Sequence, residues 1–157
     1  MTTKSELADA VLRALTGLPD LQSLFIGEAP ITGGLAAVTP ILDRLETLQV
    51  WSVPTVTSLE PLTGSALKVF ELSDCPVTDL APLSTLQSLK RVVLRGFPAV
   101  DLAPIFTLPH LRELNLQNIE EPVDLSPLAR TPHRLQIELW NTPTVGTPGP
   151  LIKIRRR

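Results

Sequence analysis

VTDLAPLSTLQSLKRVVLRGF at 77–97 and VDLAPIFTLPHLRELNLQNI at 100–119 are two copies of one unit. Each opens on a D-L-x-P-L/I box and runs into apolar residues spaced L-x-x-L-x-x-L-x-L. These are Leu86, Leu89, Val92 and Leu94 in the first copy, and Leu108, Leu111, Leu114 and Leu116 in the second. Further boxes stand at 56–62 (VTSLEPL) and 123–128 (VDLSPL), so Leu59, Leu80, Leu102 and Leu125 follow one another at intervals of 21, 22 and 23 residues. Toward the amino terminus the pattern continues as Leu18, Leu21, Leu24, Ile26 and as Leu42, Leu45, Leu48, Val50. It thins to Leu67, Phe70, Leu72 in one copy, and to Ile137 and Leu139 in the last, where Thr131 and Arg134 replace leucines. Six copies span about residues 7 to 142. A period of this size marks a repeat architecture, and it decides the fold.

Elementary geometry gives the shape of one unit. In L-x-L the two apolar side chains are two residues apart and point to one side of a strand. The proline of the box fixes φ and suits the first turn of a short 3-10 or α segment, with Asp79 or Asp124 as candidate cap. The L-x-x-L spacing that follows buries a second apolar row on the opposite side. One such unit cannot close its own core, whereas stacked neighbours can. Parallel strands are therefore expected on one face and short helices or turns on the other.

Composition fits this plan. Leucine supplies 29 of 157 residues, there is no tyrosine, and aromatics make up 4%, so a small repeated unit rather than large aromatic anchors must fill the core. The single cysteine, Cys75, excludes an internal disulfide framework and a cysteine-built zinc site. No apolar run approaches the length of a membrane span, and the acidic Glu6 and Asp9 within MTTKSELADAVLRAL are unlike a secretory signal. A cytoplasmic protein is expected. The net charge is −2, yet Lys153, Arg155, Arg156 and Arg157 crowd the last five residues, leaving the body at −6 without those four. An acidic body is a poor nucleic-acid surface, and the basic end reads as a solvated tail.

These motifs resemble the leucine-rich-repeat family, L-x-x-L-x-L-x-x-N/C-x-L, and most closely its 22-residue internalin-like type with the D-L/I-x-P-L box. Cys75 stands at one Asn/Cys position, while the other copies carry Ala29, Val53, Phe97, Ile119 and Thr142 there. The resemblance implies an α/β fold, a right-handed solenoid with a parallel concave sheet and short helices or 3-10 turns on the convex side. The missing asparagines predict irregular turns. The repeats are also similar to those at the carboxyl ends of bacterial NACHT-type signalling NTPases, although no NTPase motif lies in this chain. High Leu, Ala, Pro and Arg with little Lys match a GC-rich bacterial coding sequence.

The solenoid is expected over 1–145. Its first element is a helix at 3–16 opened by a Thr3/Glu6 capping box, with Leu7, Val11, Ala10, Ala14 and Leu15 as apolar stripe. That helix serves either as the first repeat's helix or as a remnant cap. Residues 146–157 form a tail in which 151–154 can add one strand. The absence of an amphipathic cap helix suggests a segment of a larger polypeptide or complex.

No constellation of convergent polar groups suggests an enzyme. His110 and His133 lie one repeat apart, but no carboxylate accompanies them at metal-ligand spacing, so they read as surface turn residues. Gly33–Gly34 belongs to no phosphate loop, and no G-x-S-x-G elbow surrounds a serine. Neither metal nor cofactor is expected. Strand alternation instead marks a candidate binding face. With the L-x-L leucines inward, Phe25, Gln49, Glu71, Val93, Asn115 and Glu138 point outward, flanked on the carboxyl side by Trp51, Arg95, Gln117 and Trp140 and on the amino side by Arg91. Both tryptophans fall in one column, and Trp and Arg are favoured at binding hot spots. The mixed charges suit a protein or peptide ligand better than nucleic acid or membrane. The function expected is a non-enzymatic interaction module, the sensor or regulatory segment of a larger bacterial signalling or defence protein. A stand-alone or surface-displayed adhesive protein is the alternative.

Overall fold

The computed structural model describes residues 3–99, 101–131 and 133–157, with the backbone alone for Arg130. Val100 of the third box and Pro132, beside His133, lie outside the described residues. The architecture is α/β: a seven-stranded parallel sheet with short helices and 3-10 turns. The strands are β1 (Ser23–Gly27), β2 (Thr47–Trp51), β3 (Val69–Ser73), β4 (Arg91–Phe97), β5 (Glu113–Ile119), β7 (Leu135–Trp140) and β9 (Ile152–Arg156), hydrogen-bonded in that order. A second, two-stranded parallel sheet pairs β6 (Val123–Asp124) with β8 (Thr144–Val145). No helix among the described residues is long and apolar enough to cross a membrane.

Register follows the repeat. Ile26, Val50, Leu72, Leu94, Leu116 and Leu139 are partners across successive strands, and so are Leu24, Leu48, Phe70, Val92, Leu114 and Ile137. From Leu48 to Leu139 these rows are essentially solvent-free. Helical segments form a second row in the same order: α1 (Lys4–Leu15), 3-10 turns at Gly34–Arg44, Glu60–Leu62 and Ala81–Thr85, α2 (Ala103–Phe106), and a 3-10 turn at Ser126–Arg130. Each touches the next. The leucines of the boxes and of L-x-x-L fill the space between the rows and join one continuous core.

The box works through its acidic residue. Asp79 Oδ1 accepts from the Ala81 amide at 2.8 Å, Asp101 from Ala103 at 2.9 Å, and Asp124 from Ser126 at 2.8 Å. Ser58 Oγ does the same for Glu60 at 3.1 Å in the copy without an acid. Each is an Asx- or Ser-type turn that supplies a backbone donor at the start of the helical segment. The Asp124 carboxyl is accordingly held below its ordinary range by the Ser126 amide and hydroxyl.

The turns leaving the strands are regular, contrary to the expectation. The residue after each strand's L-x-L and its flanking residue adopts positive φ in six consecutive copies: Glu28, Ser52, Asp74, Gly96, Asn118 and Asn141. Where the bend begins, the ladder continues, with the amides of Glu28, Ser52 and Asp74 donating to Trp51, Ser73 and Arg95 carbonyls at 2.9 to 3.0 Å. The next residue then seats the turn by burial: Val53, Phe97 and Ile119 are within the core. Only Cys75 and Thr142 add a polar anchor, donating to the carbonyls of Ser73 (3.3 Å) and Trp140 (2.9 Å). Left-handed backbone plus an apolar seat thus replaces the missing asparagines. Burial pushes the Cys75 thiol up, away from thiolate chemistry.

Gly96 is the glycine of this column of bends. At φ 72° a Cβ would fall 2.0 Å from Asp74 Oδ1. Gly96→Ala is expected to cost about 1–2 kcal/mol from the left-handed penalty. Urea unfolding would read it; an unchanged midpoint would mean the bend tolerates L-residues here as it does at Ser52.

Two sequence expectations are corrected at the ends. Helix α1 keeps its Thr3/Glu6 capping box, but Leu7, Ala10, Val11 and Ala14 are exposed. The side against the first 3-10 turn is instead Leu12 with Ala8 and Leu15. The helix carries apolar residues on two faces, and tertiary contact uses the narrower one. It occupies the first place in the helical row, a place that either of the two roles expected for it would take. The basic end is also not a free tail. β9 pairs in parallel with β7, so the additional strand allowed for at 151–154 forms, over Ile152–Arg156, and brings the sheet to seven. Ile154 continues the row of Ile137, and Ile152 pairs with Leu135 on the same side, both half-buried because no strand lies beyond them among the described residues; Arg156 takes the place beside Leu139 and stays exposed.

Two carboxylates of α1 are engaged, Glu6 within the cap and Asp9 across to Thr32. Glu6 is held below its ordinary range by the Thr3 amide and hydroxyl, and Asp9 by Thr32, whose amide donates to Asp9 Oδ1 at 3.0 Å. A depressed carboxyl contributes stability above its unfolded value and loses it as pH falls through the folded one. Acidification below the usual carboxylate range should therefore loosen α1 first. The Thr32 amide resonance should titrate with Asp9 and cease to do so in Asp9→Asn; a flat Thr32 shift would refute the tether.

Candidate interaction face

The outward side of the sheet is built by alternation alone, since a residue between two inward leucines has nowhere else to point. Register sets the outward residues in three columns. Ser23, Thr47, Val69, Arg91, Glu113, Gln136 and Lys153 form the first. Phe25, Gln49, Glu71, Val93, Asn115, Glu138 and Arg155 form the second, and Gly27, Trp51, Ser73, Arg95, Gln117 and Trp140 the third, with Arg157 following β9. All eleven candidate residues lie on this one side. Lys153, Arg155 and Arg157, read from sequence as solvated charge, extend it.

Exposure separates them. Phe25, Trp51 and Trp140 remain 59%, 43% and 53% exposed, unusual for the largest apolar side chains of a chain with so few. Val93 departs from the expected exposure: only 6% of it meets solvent, although it faces away from the main core. It is short, and Glu71 and Asn115 stand beside it in register with Arg91 and Arg95 along its own strand. The stems of such long polar residues cover apolar surface while their heads stay wet.

The carboxylates of the face are spoken for. Arg91 spans Glu71 (3.8 Å) and Glu113 (3.7 Å), and Arg155 Nη1 lies 3.7 Å from Glu138. Glu138 also accepts from Asn115 Nδ2 at 3.2 Å and Gln136 Nε2 at 3.3 Å, while Gln117 Nε2 donates to Asn115 Oδ1 at 2.9 Å. Trp51 Nε1 donates to Asp74 Oδ2 at 3.3 Å, tying an exposed ring to the bend of the next repeat. Among the described residues, Arg95, Lys153 and Arg157 have no ion-pair partner. The apparent mixture of charges thus pairs off internally and leaves a cationic surplus.

Two hollows adjoin on this face and share Arg95. One, of about 240 Å³, is lined by Phe25, Trp51, Val93 and neighbouring polar residues. The other, of about 450 Å³, lies among Asn115, Gln117, Glu138, Trp140 and Arg157. Ten of the eleven sequence candidates, all but Arg91, line one hollow or the other, while Asn118, Leu139 and Arg157 of the larger and Val50 and Ser73 of the smaller were not among them; for Arg157 the signal was the alternation of I-K-I-R at 152–155, carried two residues further.

The chemistry elsewhere is sparse. Burial and the charges of Arg112 and His110 press the His133 pKa down, and among the described residues no three His, Cys, Asp or Glu side chains gather as metal ligands. No protein-family model matches the chain, and no curated protein matches its sequence.

Proposed function

We propose that the chain is a leucine-rich-repeat solenoid, right-handed, with the seven-stranded sheet as its concave side, acting as a non-enzymatic protein-interaction module. Its ligand is a protein or peptide held on the outward sheet face. The observation that carries this reading is the single column in which both tryptophans and the unpaired Arg95 stand exposed on a strand-paired, in-register sheet. Large rings and a guanidinium on a stiff support can be desolvated at small entropic cost, which is what a hot spot requires. The regular period, the strand order and the recurrent left-handed bend support the solenoid. Fold does not by itself dictate function; the functional step rests on the face. The cellular setting that fits best is a sensor or regulatory segment of a larger bacterial signalling or defence protein, cytoplasmic and without cofactor or metal.

The test is affinity capture from the native host with the chain and its Trp51→Ala/Trp140→Ala variant as paired baits. A protein retained by the first and lost from the second is expected. Equal capture by both baits would overturn the assignment of the face.

A further inference from the structure

We propose that the hollow between Arg95 and Arg157 receives the carboxylate of an acidic peptide segment, and that an apolar residue of the same segment sits against Trp51 and Phe25. The inference rests on the sheet face being the binding face, and it adds the chemistry of the ligand.

The charge pattern supplies the argument. Every other arginine projecting from the face is engaged: Arg91 by Glu71 and Glu113, Arg155 by Glu138. Arg95 and Arg157 line the same hollow from β4 and from the end of β9, with Gln117 and Trp140 between them in the column. A guanidinium without a counter-ion offers a planar fork that matches a carboxylate. Glu138 lines the hollow too, but its carboxylate is held by Arg155, Asn115 and Gln136, and Gln117 keeps a second amide hydrogen beyond its bond to Asn115. A polyanion fits worse, because Glu71, Glu113 and Glu138 lie along the same face and a run of phosphates would meet them. One carboxylate per site is what two free arginines suit.

The second hollow fixes the spacing. Arg95 is its wall too, and its far side is Trp51 and Phe25. Strands stand ~4.8 Å apart, so the midpoint between Arg95 and Arg157 lies roughly 17 Å from Trp51 across the sheet. An extended peptide rises ~3.3 Å per residue. The apolar and acidic residues should then be about five positions apart.

A random 12-residue peptide library selected against the whole chain reads this directly, with binding of the enriched peptides then measured by fluorescence anisotropy. Enriched sequences should carry Asp or Glu about five residues from Trp, Phe or Leu. Arg95→Gln or Arg157→Gln should weaken them at least 10-fold, as should Asp→Asn or Glu→Gln in the peptide, while Gln87→Ala, in the turn that follows the Ala81–Thr85 segment, leaves them unchanged. Melting curves of each variant establish that the fold is intact. Peptides without acidic residues, lost in Trp51→Ala but kept in Arg95→Gln, would sink the carboxylate site and leave the binding face standing. Peptides indifferent to Trp51→Ala, Trp140→Ala and both arginine variants would remove the face itself. Tighter binding of a single-stranded oligonucleotide than of any selected peptide, lost in Arg95→Gln, would overturn the proposal in favour of a nucleic-acid surface. A selection that enriches nothing over a scrambled control would overturn it as well.

Discussion

Leu116→Ala is expected to remove about 2–5 kcal/mol of stability, the range for deleting a buried leucine from a core that cannot close around the hole. Leu116 is fully buried, and its row partners are Leu94 on one side and Leu139 on the other. A relaxing neighbour would have to pull its own strand out of register, so the cavity persists. Because each repeat is stabilised mainly by the next, the loss should appear in the whole array rather than as local fraying. Urea unfolding measures the total, and amide exchange in β4 and β7 reads its spread. Ile154→Ala makes the contrast: it occupies the same kind of position at the open end, already partly exposed. Its cost should be distinctly smaller. A Leu116→Ala change under about 0.5 kcal/mol, the scale of an exposed position, would mean the inward row has been misassigned.

The inward rows were legible in the sequence because alternation has no free parameter once two leucines of L-x-L are taken inward. The boxes were legible too, since an acid two residues before a backbone donor leaves little choice of turn. Helix α1 was less so: with Leu7 and Val11 on one face and Ala8, Leu12 and Leu15 on another, periodicity alone could not choose between them. The bends were misread for a different reason. The informative column stands one position before the absent asparagines: Asp74, Gly96, Asn118 and Asn141, residue types that tolerate positive φ. That column was visible at repeat spacing, and it would have predicted regular turns. Arg155 and Arg157 were missed because a run of charge at one end reads as solvent-facing, although I-K-I-R alternates as a strand must. Val93 was placed on the correct side; its burial depended on the lengths of its neighbours, which alternation does not encode.

Trp51→Ala and Arg95→Ala should separate binding from stability. Neither side chain reaches the core, and parity forbids it: with Val92 and Leu94 inward, Arg95 faces out, and with Val50 inward, so does Trp51. Arg95 has no ion pair among the described residues to lose, so its truncation should stay within about 0.5 kcal/mol. Trp51 gives up its hydrogen bond to Asp74 and some packing against the bend, which sets its cost near the net value of one hydrogen bond, about 1 kcal/mol. Binding should respond in the opposite proportion. At a true hot spot each truncation should cost about 2 kcal/mol or more of affinity, a loss of roughly 30-fold, because the partner's matching group is then left without its contact. Calorimetric titration of each variant beside its melting curve gives both quantities. Wild-type affinity in both, with binding lost instead on changing Thr107 or Gln87, would move the site to the helical side. A collapse of stability in Trp51→Ala would show that the ring holds the bend at Asp74 in place, and that its exposure serves the fold and not a ligand.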